Sequence, residues 1–447
     1  MSVSQRFTVP FGDGTIDVDL PSGLMGSVAE PPRATPLVDP ARAAKLAVSN
    51  PIAGPPLTEL ACGKRRVCIA VTDATRACPD YLLVPPMLDA LAAAGIADEA
   101  ITLLVAVGVH RASTREEKIA KLGRAVVDRY RVIDHDASDP DLLVPVVAGP
   151  PHLSFRINRH AVEADLLLAT GVVEPHQYAG FSGGGKTVAI GCANEAVIAA
   201  THGPAMLDQP GTRLATLEGN PFQLAVRQVA SAAGLAFVGN TVLDAGGHIV
   251  ALAYGPSQAV HDHLASIASD LYTVTIPRSV DIAIAGVGAP KDVNLYQASR
   301  AASYLQFAPT PVVRRGGAII IPATCPEGAG EGAGERRFLE VMGNPGGPAA
   351  IIDQVRREGI RPGEQRAYIM ARVLERAAVI VAGALCPDQV RALGFISTPT
   401  IEDALEEAIA RVGTPADVLV VPHALQTLPV VAGRTRQDAF DGRFEAP

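Results

Sequence analysis

The chain has 447 residues, 48% of them hydrophobic and only 19% charged, which excludes general disorder and predicts more than one folded domain. A formal net charge of −8 gives no reason to expect nucleic acid or an anionic membrane surface as partner. Six scattered cysteines (62, 68, 78, 192, 325, 386) form no C-x-x-C pair, which argues against a zinc ribbon or redox dithiol. With no basic-then-apolar leader and no apolar run near the ~20 residues a membrane helix needs, the sequence reads as a soluble cytoplasmic protein with reduced thiols.

Residues 1 to 60 alternate strand-like pieces (Arg6-Phe-Thr-Val, Thr15-Ile-Asp-Val) with proline-rich connections, and read as a segment that wraps rather than forms a core. From Val67 the pattern becomes alternating strand and helix, the signature of α/β layers with a largely parallel sheet. Val67–Asp73 and Ile101–Val107 read as strands, with a helix from about Leu82 to Ala94 between them. Ser113-Thr-Arg-Glu-Glu117 offers a capping box for a helix to about Tyr130. Tyr130–Asp134 and the apolar run Ala164–Val173 follow as strands.

Farther on, Asn220-Pro-Phe starts a helix. Leu235–Leu243 and Ile249–Ala253 are strand-like, and Ser257–Ala268 is helical. A boundary near Thr275–Ser279 precedes a second α/β unit with strands at Asp281–Gly286, Gly317–Pro322, Val379–Ala382 and Asp417–Val421, and helices at Glu364–Ala377 and Ile401–Arg411. The glycine-rich Glu327–Glu335 reads as a flexible loop or a mobile lid. The expected architecture is two α/β domains with largely parallel sheets and an active site in the cleft between them. The domains are an N-terminal one over 1–275, a C-terminal one over 276–425, and a tail over 426–447 that packs on the first domain.

The densest chemistry lies in Glu174-Pro-His-Gln-Tyr-Ala-Gly-Phe-Ser-Gly-Gly-Gly-Lys-Thr187, followed by His202. Three successive glycines let backbone N–H groups approach an anion closely, so the loop reads as a binder of something phosphorylated. Gly180 to Thr187 matches G-x-x-x-x-G-K-[ST], which makes an NTP-binding enzyme the alternative. Against it, six residues separate Val173 from Gly180, and no later strand offers a magnesium-binding aspartate. Only six of the 38 basic Lys and Arg residues are lysines. Lys186 is therefore either a point charge on a phosphate or an amine doing chemistry that a guanidinium does not perform. Asp73/Arg76, His110/Arg111 and His176/Lys186 follow three strand ends, and ligands of open α/β sheets sit beyond the carboxyl ends of strands.

Asp73-Ala-Thr-Arg76, Gly108-Val-His-Arg111, Glu174-Pro-His176, Phe181-Ser-Gly-Gly-Gly-Lys186, His202 and Leu295-Tyr-Gln297 together resemble the lactate racemase family, enzymes that carry a nickel-pincer nucleotide. The resemblance implies a racemase or epimerase of a small 2-hydroxy acid. Lys186 would hold the cofactor covalently through a thioamide and His202 would ligate nickel. Ser182, Gly183, Gly184 and Gly185, with Asp73 and Tyr296, would cradle or steady the nucleotide. His110 and His176 would be the acid/base pair on either face of the substrate, while the cofactor reversibly takes hydride from Cα. Arg76, Gln297 and Arg300 would bind the substrate carboxylate, and Arg111 would be an orienter alongside Asp73. Other proteins would be needed to make and load the cofactor. A non-catalytic nickel-cofactor-binding protein is a further alternative, one that leaves His110 and His176 without a joint purpose.

Two departures from the family pattern bear on substrate. Gln297-Ala-Ser-Arg300 stands where the lactate enzymes commonly have Gln-x-x-Lys, and the chain has no tryptophan. Malate, longer 2-hydroxy acids and sugar acids all remain open. His135, His152, His160, His248, His261, His263 and His423 read as structural.

Overall fold

A computed structural model describes residues 5–148 and 155–432. The chain divides into two compact units, one of residues 33–201 and 217–271, the other of 1–32, 202–216 and 272–447.

The first unit is built on a six-stranded sheet in the order Ile249–Gly255, Leu235–Leu243, Leu166–Val172, Val67–Thr72, Ile101–Ala106, Arg131–Asp134. Neighbours are parallel except the first two, which form an antiparallel pair. Val67–Thr72 and Leu166–Val172 are buried along their whole length. Covered on both faces, such strands are continuous apolar runs rather than alternating ones, which is why they stand out in the sequence.

The helix after Val67–Thr72 spans Asp80–Ala93, and the capping-box helix starts at Arg115 with Thr114 and Glu117 each satisfying the other's backbone N–H. That second helix does not run unbroken to Tyr130. Gly123, at φ +85°, ends it at Leu122, and a separate helix covers Arg124–Arg129.

The second unit carries a six-stranded parallel sheet in the order Ile396–Thr398, Ala377–Ala382, Val313–Pro322, Val280–Ala285, Ala416–Val421, Leu24–Val28. Its core overturns the reading of residues 1 to 60 as a wrap. Val9, Val18, Leu20 and Leu24 are buried with Ile282, Ile320, Ile401 and Leu405, and Leu24–Val28 adds an edge strand beside Ala416–Val421. The contiguous 1–275 division is corrected for the same reason, since strand pairing draws residues 1–32 into the C-terminal unit.

Residues 202–216 join that unit through Asp208. Its carboxylate accepts from Tyr368 Oη at 2.6 Å, Arg372 at 2.9 Å and Arg356 at 3.1 Å. At the other end Leu428–Val431 pairs in parallel with Thr273–Ile276. The tail expected to pack on the first domain lies, from residue 433, outside the described residues.

The glycine-rich 327–335 stretch is a built turn rather than a flexible loop. Leu295 N donates to Gly328 O at 2.8 Å and Ala329 N to Gln389 Oε1 at 2.7 Å, and a helix begins at Ala333. A Cβ on Gly328, at φ +60°, would sit 2.3 Å from Gln389 Oε1. Among the described residues no helix is long and apolar enough to cross a membrane.

Candidate active site

Three neighbouring strands of the first sheet deliver the candidate residues. Asp73 follows Val67–Thr72, His110 lies beyond Ile101–Ala106, and His176 beyond Leu166–Val172. Asp73 is the fixed centre of its loop. Oδ1 accepts from Thr75 N at 3.1 Å and Thr75 Oγ1 at 2.6 Å, and Oδ2 lies 2.6 Å from His110 Nδ1. A carboxylate only accepts, so Nδ1 carries a proton, and in the neutral ring Nε2 is the nitrogen with the lone pair. Burial alone would raise the Asp73 pKa, but the bonds from His110 and Thr75 and the charge of Arg76 outweigh it and hold the carboxyl at about 2. Arg76 Nε stands 3.9 Å from Asp73, its side chain half exposed.

Beneath this loop is a network that no sequence pattern signals. Asp80, with 0% exposure, accepts from Thr72 Oγ1 at 2.5 Å and from Thr170 Oγ1, and lies 2.8 Å from Lys121 Nζ. The same ammonium donates to Cys78 O at 2.6 Å and Arg76 O at 3.1 Å, tying down the 73–80 turn. Lys118 forms a second shielded pair with Asp134. Lysine is thus kept at several low-exposure sites in this chain, and its scarcity alone does not single out Lys186. Arg111 forms a two-bond pair with Glu117 at 2.8 and 2.6 Å.

The six residues between strand and glycines form a tiny hairpin, Pro175–His176 paired with Gly180–Phe181. This insertion is what separates the loop geometrically from a nucleotide triphosphate loop, which enters its glycines directly from the strand. Within the turn, His176 Nδ1 accepts from Tyr178 N at 3.2 Å and Ala179 N at 3.1 Å, which puts its ring proton on Nε2. Tyr178 O accepts from Asn220 Nδ2 at 2.8 Å, and Asn220 also caps the helix Pro221–Ala232.

Ser182 closes the loop, its Oγ donating to Val172 O at 2.7 Å and accepting from Glu174 N at 3.2 Å. Gly183, Gly184 and Gly185 then lead into the short helix Gly184–Ala189 that bears Lys186. These glycines are packed against protein. A Cβ on Gly183 would lie 2.8 Å from His261 Cδ2, on Gly184 2.9 Å from Asn240 Oδ1, and on Gly185 3.2 Å from Ser257 Oγ. A small cavity of about 20 Å³ lies beside Gly183 and Lys186, room for one water. Side chains at these three positions would meet His261, Asn240 and Ser257, so glycine lets the loop and helix pack closely on the sheet.

The other candidates belong to the second unit. His202 is buried directly after the helix Glu195–Thr201, at the head of the segment that Asp208 anchors. Tyr296 stacks edge-on with Phe338 at 5.5 Å and lies under the Arg366 guanidinium at 5.6 Å. Asn294 Oδ1 accepts from Gln297 N at 3.0 Å and starts a short helix. Gln297 Oε1 accepts from Arg300 at 3.3 Å, and the same guanidinium donates to Tyr304 Oη at 3.1 Å. Gln297 and Arg300 thus form one polar group.

Residues 11–215 match the model of the lactate racemase N-terminal domain and residues 276–428 that of the lactate racemase C-terminal domain. The lactate racemase of Lactiplantibacillus plantarum is 33% identical over 383 residues, 85% of this chain and 88% of that protein. The chain belongs to the lactate racemase family. It is an isomerase, a racemase. The lactate racemase of Thermoanaerobacterium thermosaccharolyticum is 29% identical over 423 residues, 94% of this chain and 98% of that one. The structure of that organism's lactate racemase apoprotein superposes with a TM-score of 0.86 at 28% identity, covering 95% of this chain and 100% of that chain. A Thermotoga maritima protein structure shares the fold, with a TM-score of 0.66 at 20% identity over 88% of this chain and 98% of its own.

Of the other histidines, His135 is structural. Its Nε2 donates to Ala193 O at 2.9 Å and its Nδ1 accepts from Asn158 at 3.1 Å, and burial lowers its pKa. His152 lies outside the described residues.

Proposed function

We propose that this racemase inverts the hydroxyl-bearing carbon of a 2-hydroxy acid, lactate or a larger relative, using a nickel-pincer nucleotide held covalently at Lys186. The observation that carries the reading is the opposed orientation of two rings: His110 donates through Nδ1 to Asp73, which leaves Nε2 as the base nitrogen of the neutral ring, while His176 accepts at Nδ1 from backbone donors and has its proton on Nε2. A reaction that moves a proton off a hydroxyl on one side and onto an oxygen on the other uses one of each.

In this reading His110 Nε2 takes the hydroxyl proton, and the Asp73 carboxylate stabilises the imidazolium that results. His176 Nε2–H hydrogen-bonds the substrate oxygen, and it can deliver that proton only once Nδ1 is itself protonated and released from Tyr178 N and Ala179 N, since a neutral ring losing Nε2–H would become an imidazolate. For the opposite enantiomer the roles exchange, and His176 must give up its Nδ1 contacts with Tyr178 and Ala179 to act as base. Gln297 and Arg300, with Arg76, bind and orient the carboxylate, and Tyr296 steadies the cofactor.

The donor set fits the cofactor. Among the described residues no three His, Cys, Asp or Glu side chains group to hold a metal, so a nickel held through His202 would need a ligand that brings most of its own donors. When bound, that group supplies a hydride acceptor, which spares the enzyme from abstracting a weakly acidic Cα proton. Asp73 and Ser182, already engaged within the protein, support the loops that surround it. Loading depends on the proteins that synthesise the cofactor.

The test is protein made in a host with those synthesis proteins. Peptide mapping should place an adduct on the peptide containing Lys186, and His202→Ala should lower nickel content. Active enzyme with an unmodified Lys186, or a His202→Ala protein with full nickel, defeats the assignment. ATP hydrolysis lost in Lys186→Ala would favour the NTP reading instead.

A further inference from the structure

Two buried polar side chains outside every motif grip the attachment loop. Asn240, with 0% exposure, accepts from Gly184 N through Oδ1 at 3.2 Å. His261, 6% exposed on the helix Ser257–Tyr272, sets its Cδ2 where a Gly183 side chain would go and its Nε2 3.4 Å from Phe181 O. A carbonyl only accepts, so Nε2 carries a proton, and in the neutral ring Nδ1 is left to accept. That Nδ1 has no hydrogen-bond partner, the nearest carboxylate oxygen, of Asp262, being 3.9 Å away.

Arg227 pairs with Asp262 through a terminal nitrogen, while its buried Nε–H is also unpartnered. His261 and Arg227 line the same small cavity as Gly183, Lys186, Gln223 and Ser257. One unspent acceptor and one unspent donor thus border a space of about 20 Å³. Water requires at least ~10–15 Å³ of such space and two or more polar partners, and leaving both groups bare is unfavourable.

We propose that this cavity holds a single structural water, donating to His261 Nδ1 and accepting from Arg227 Nε–H, and that His261 is thereby a positioning residue for the Phe181–Lys186 loop. The ring is held on one side by the Phe181 carbonyl and on the other by the water, so its edge fixes Gly183 and, through the helix start, the direction of Lys186. The consequence for Lys186 rests on the function proposed above. The water and the rigidity of the loop do not.

The experiment compares wild type, His261→Phe and His261→Gln. Phenylalanine keeps the ring edge but removes both nitrogens, whereas glutamine restores one donor and one acceptor. Amide hydrogen exchange over 181–186 should be roughly threefold to tenfold faster in His261→Phe, the factor one net hydrogen bond provides, and partly restored in His261→Gln. Exchange in Val67–Thr72 should not change.

In protein made with the cofactor-synthesis proteins, the fraction of Lys186 carrying the adduct should fall in His261→Phe and recover in His261→Gln. A crystal structure of the unloaded wild type should show one ordered water within hydrogen-bond distance of His261 Nδ1 and Arg227 Nε. A dry cavity, or His261→Phe with wild-type exchange at 181–186, overturns the inference. A wild-type protein with no adduct on Lys186 overturns the proposed function instead, and the exchange and the water still decide this one. Should His261→Phe not fold, the water and His261→Gln carry the test.

Discussion

The 2.6 Å contact between Asp73 Oδ2 and His110 Nδ1 joins loops beyond two adjacent parallel strands and ties down one ring nitrogen of His110. The contact has consequences for both rate and stability. Asp73→Asn keeps the size of the side chain but cannot stabilise an imidazolium. It should lower kcat/KM by about 10²–10³-fold, the lower part of the range that general-base assistance spans. An unchanged rate in a folded Asp73→Asn enzyme would remove Asp73 from the reaction.

The stability effect has a definite sign. The Asp73 pKa lies at about 2 in the folded protein against an ordinary 3.8. A depressed pKa stabilises the fold above the unfolded value and loses that contribution as pH falls through the folded one. The window is therefore about pH 4 down to pH 2. Asp73 is buried, but His110 is 44% exposed and the pair is partly screened, so about 1–2 kcal/mol is expected rather than the full shift. Thermal midpoints of wild type and Asp73→Asn should converge as pH drops across that window. Parallel curves would show that the pair does not contribute.

The two histidines should not be equivalent. Glutamine at position 176 retains an N–H donor, so His176→Gln should lose about ten- to a hundredfold, whereas His110→Gln removes a base and should lose about 10²–10⁴-fold. Enantiomers have equal free energy, so kcat/KM must fall by the same factor in both directions, and a difference can show only in kcat and KM separately. Equal losses in the two variants would contradict the tautomers assigned to the rings.

Asp80 and Lys121 hold the floor of the site. Removing one partner of a buried ion pair leaves an uncompensated charge, typically a loss of about 3–5 kcal/mol. Asp80→Ala should cost that much in denaturant unfolding of the unit formed by residues 33–201 and 217–271. It should also speed amide exchange at 73–80, because Lys121 holds the Arg76 and Cys78 carbonyls. A loss below about 1 kcal/mol, the level of a surface pair, would refute this role.

The parts of this design that were legible in the sequence are those with a short-range physical signature. Val67–Thr72 and Leu166–Val172 are buried throughout and mostly apolar because both faces are covered. The Thr114/Glu117 capping box is local by nature. The glycine loop before Lys186 was visible in the sequence, although its packing against Asn240, Val238 and His261 was not.

What stayed hidden depends on partners far away in the chain. Asp80 reaches Thr170 across 90 positions and Leu24–Val28 finds Ala416–Val421 only in the sheet. Nothing near Val9 or Val18 reveals that they meet Ile401 and Leu405. A lone acid or a short strand carries no record of such a partner in its own neighbourhood. Gly123 is different, since a glycine inside a helical pattern is a local warning, and its positive φ splits the expected helix.

Substrate choice should be readable at Arg300. Its guanidinium is braced by Gln297 Oε1 at 3.3 Å and Tyr304 Oη at 3.1 Å and lies 5.5 Å from the centre of the Tyr304 ring. A planar fork can hold both braces and still present a flat edge to a carboxylate, which a single ammonium cannot do. Arg300→Lys conserves charge, so any effect reports geometry. Loss of a charge-assisted contact is worth about 1.5–3 kcal/mol, or roughly ten- to a hundredfold in transition-state binding. Wild type and Arg300→Lys would be assayed against lactate, malate and a six-carbon sugar acid, following each enantiomer or epimer. The expected outcome is a wild type that favours a substrate other than, or larger than, lactate, and a variant whose ranking shifts toward lactate. A wild type that strongly prefers lactate, with the ranking unmoved by Arg300→Lys, would show that Arg300 does not set specificity.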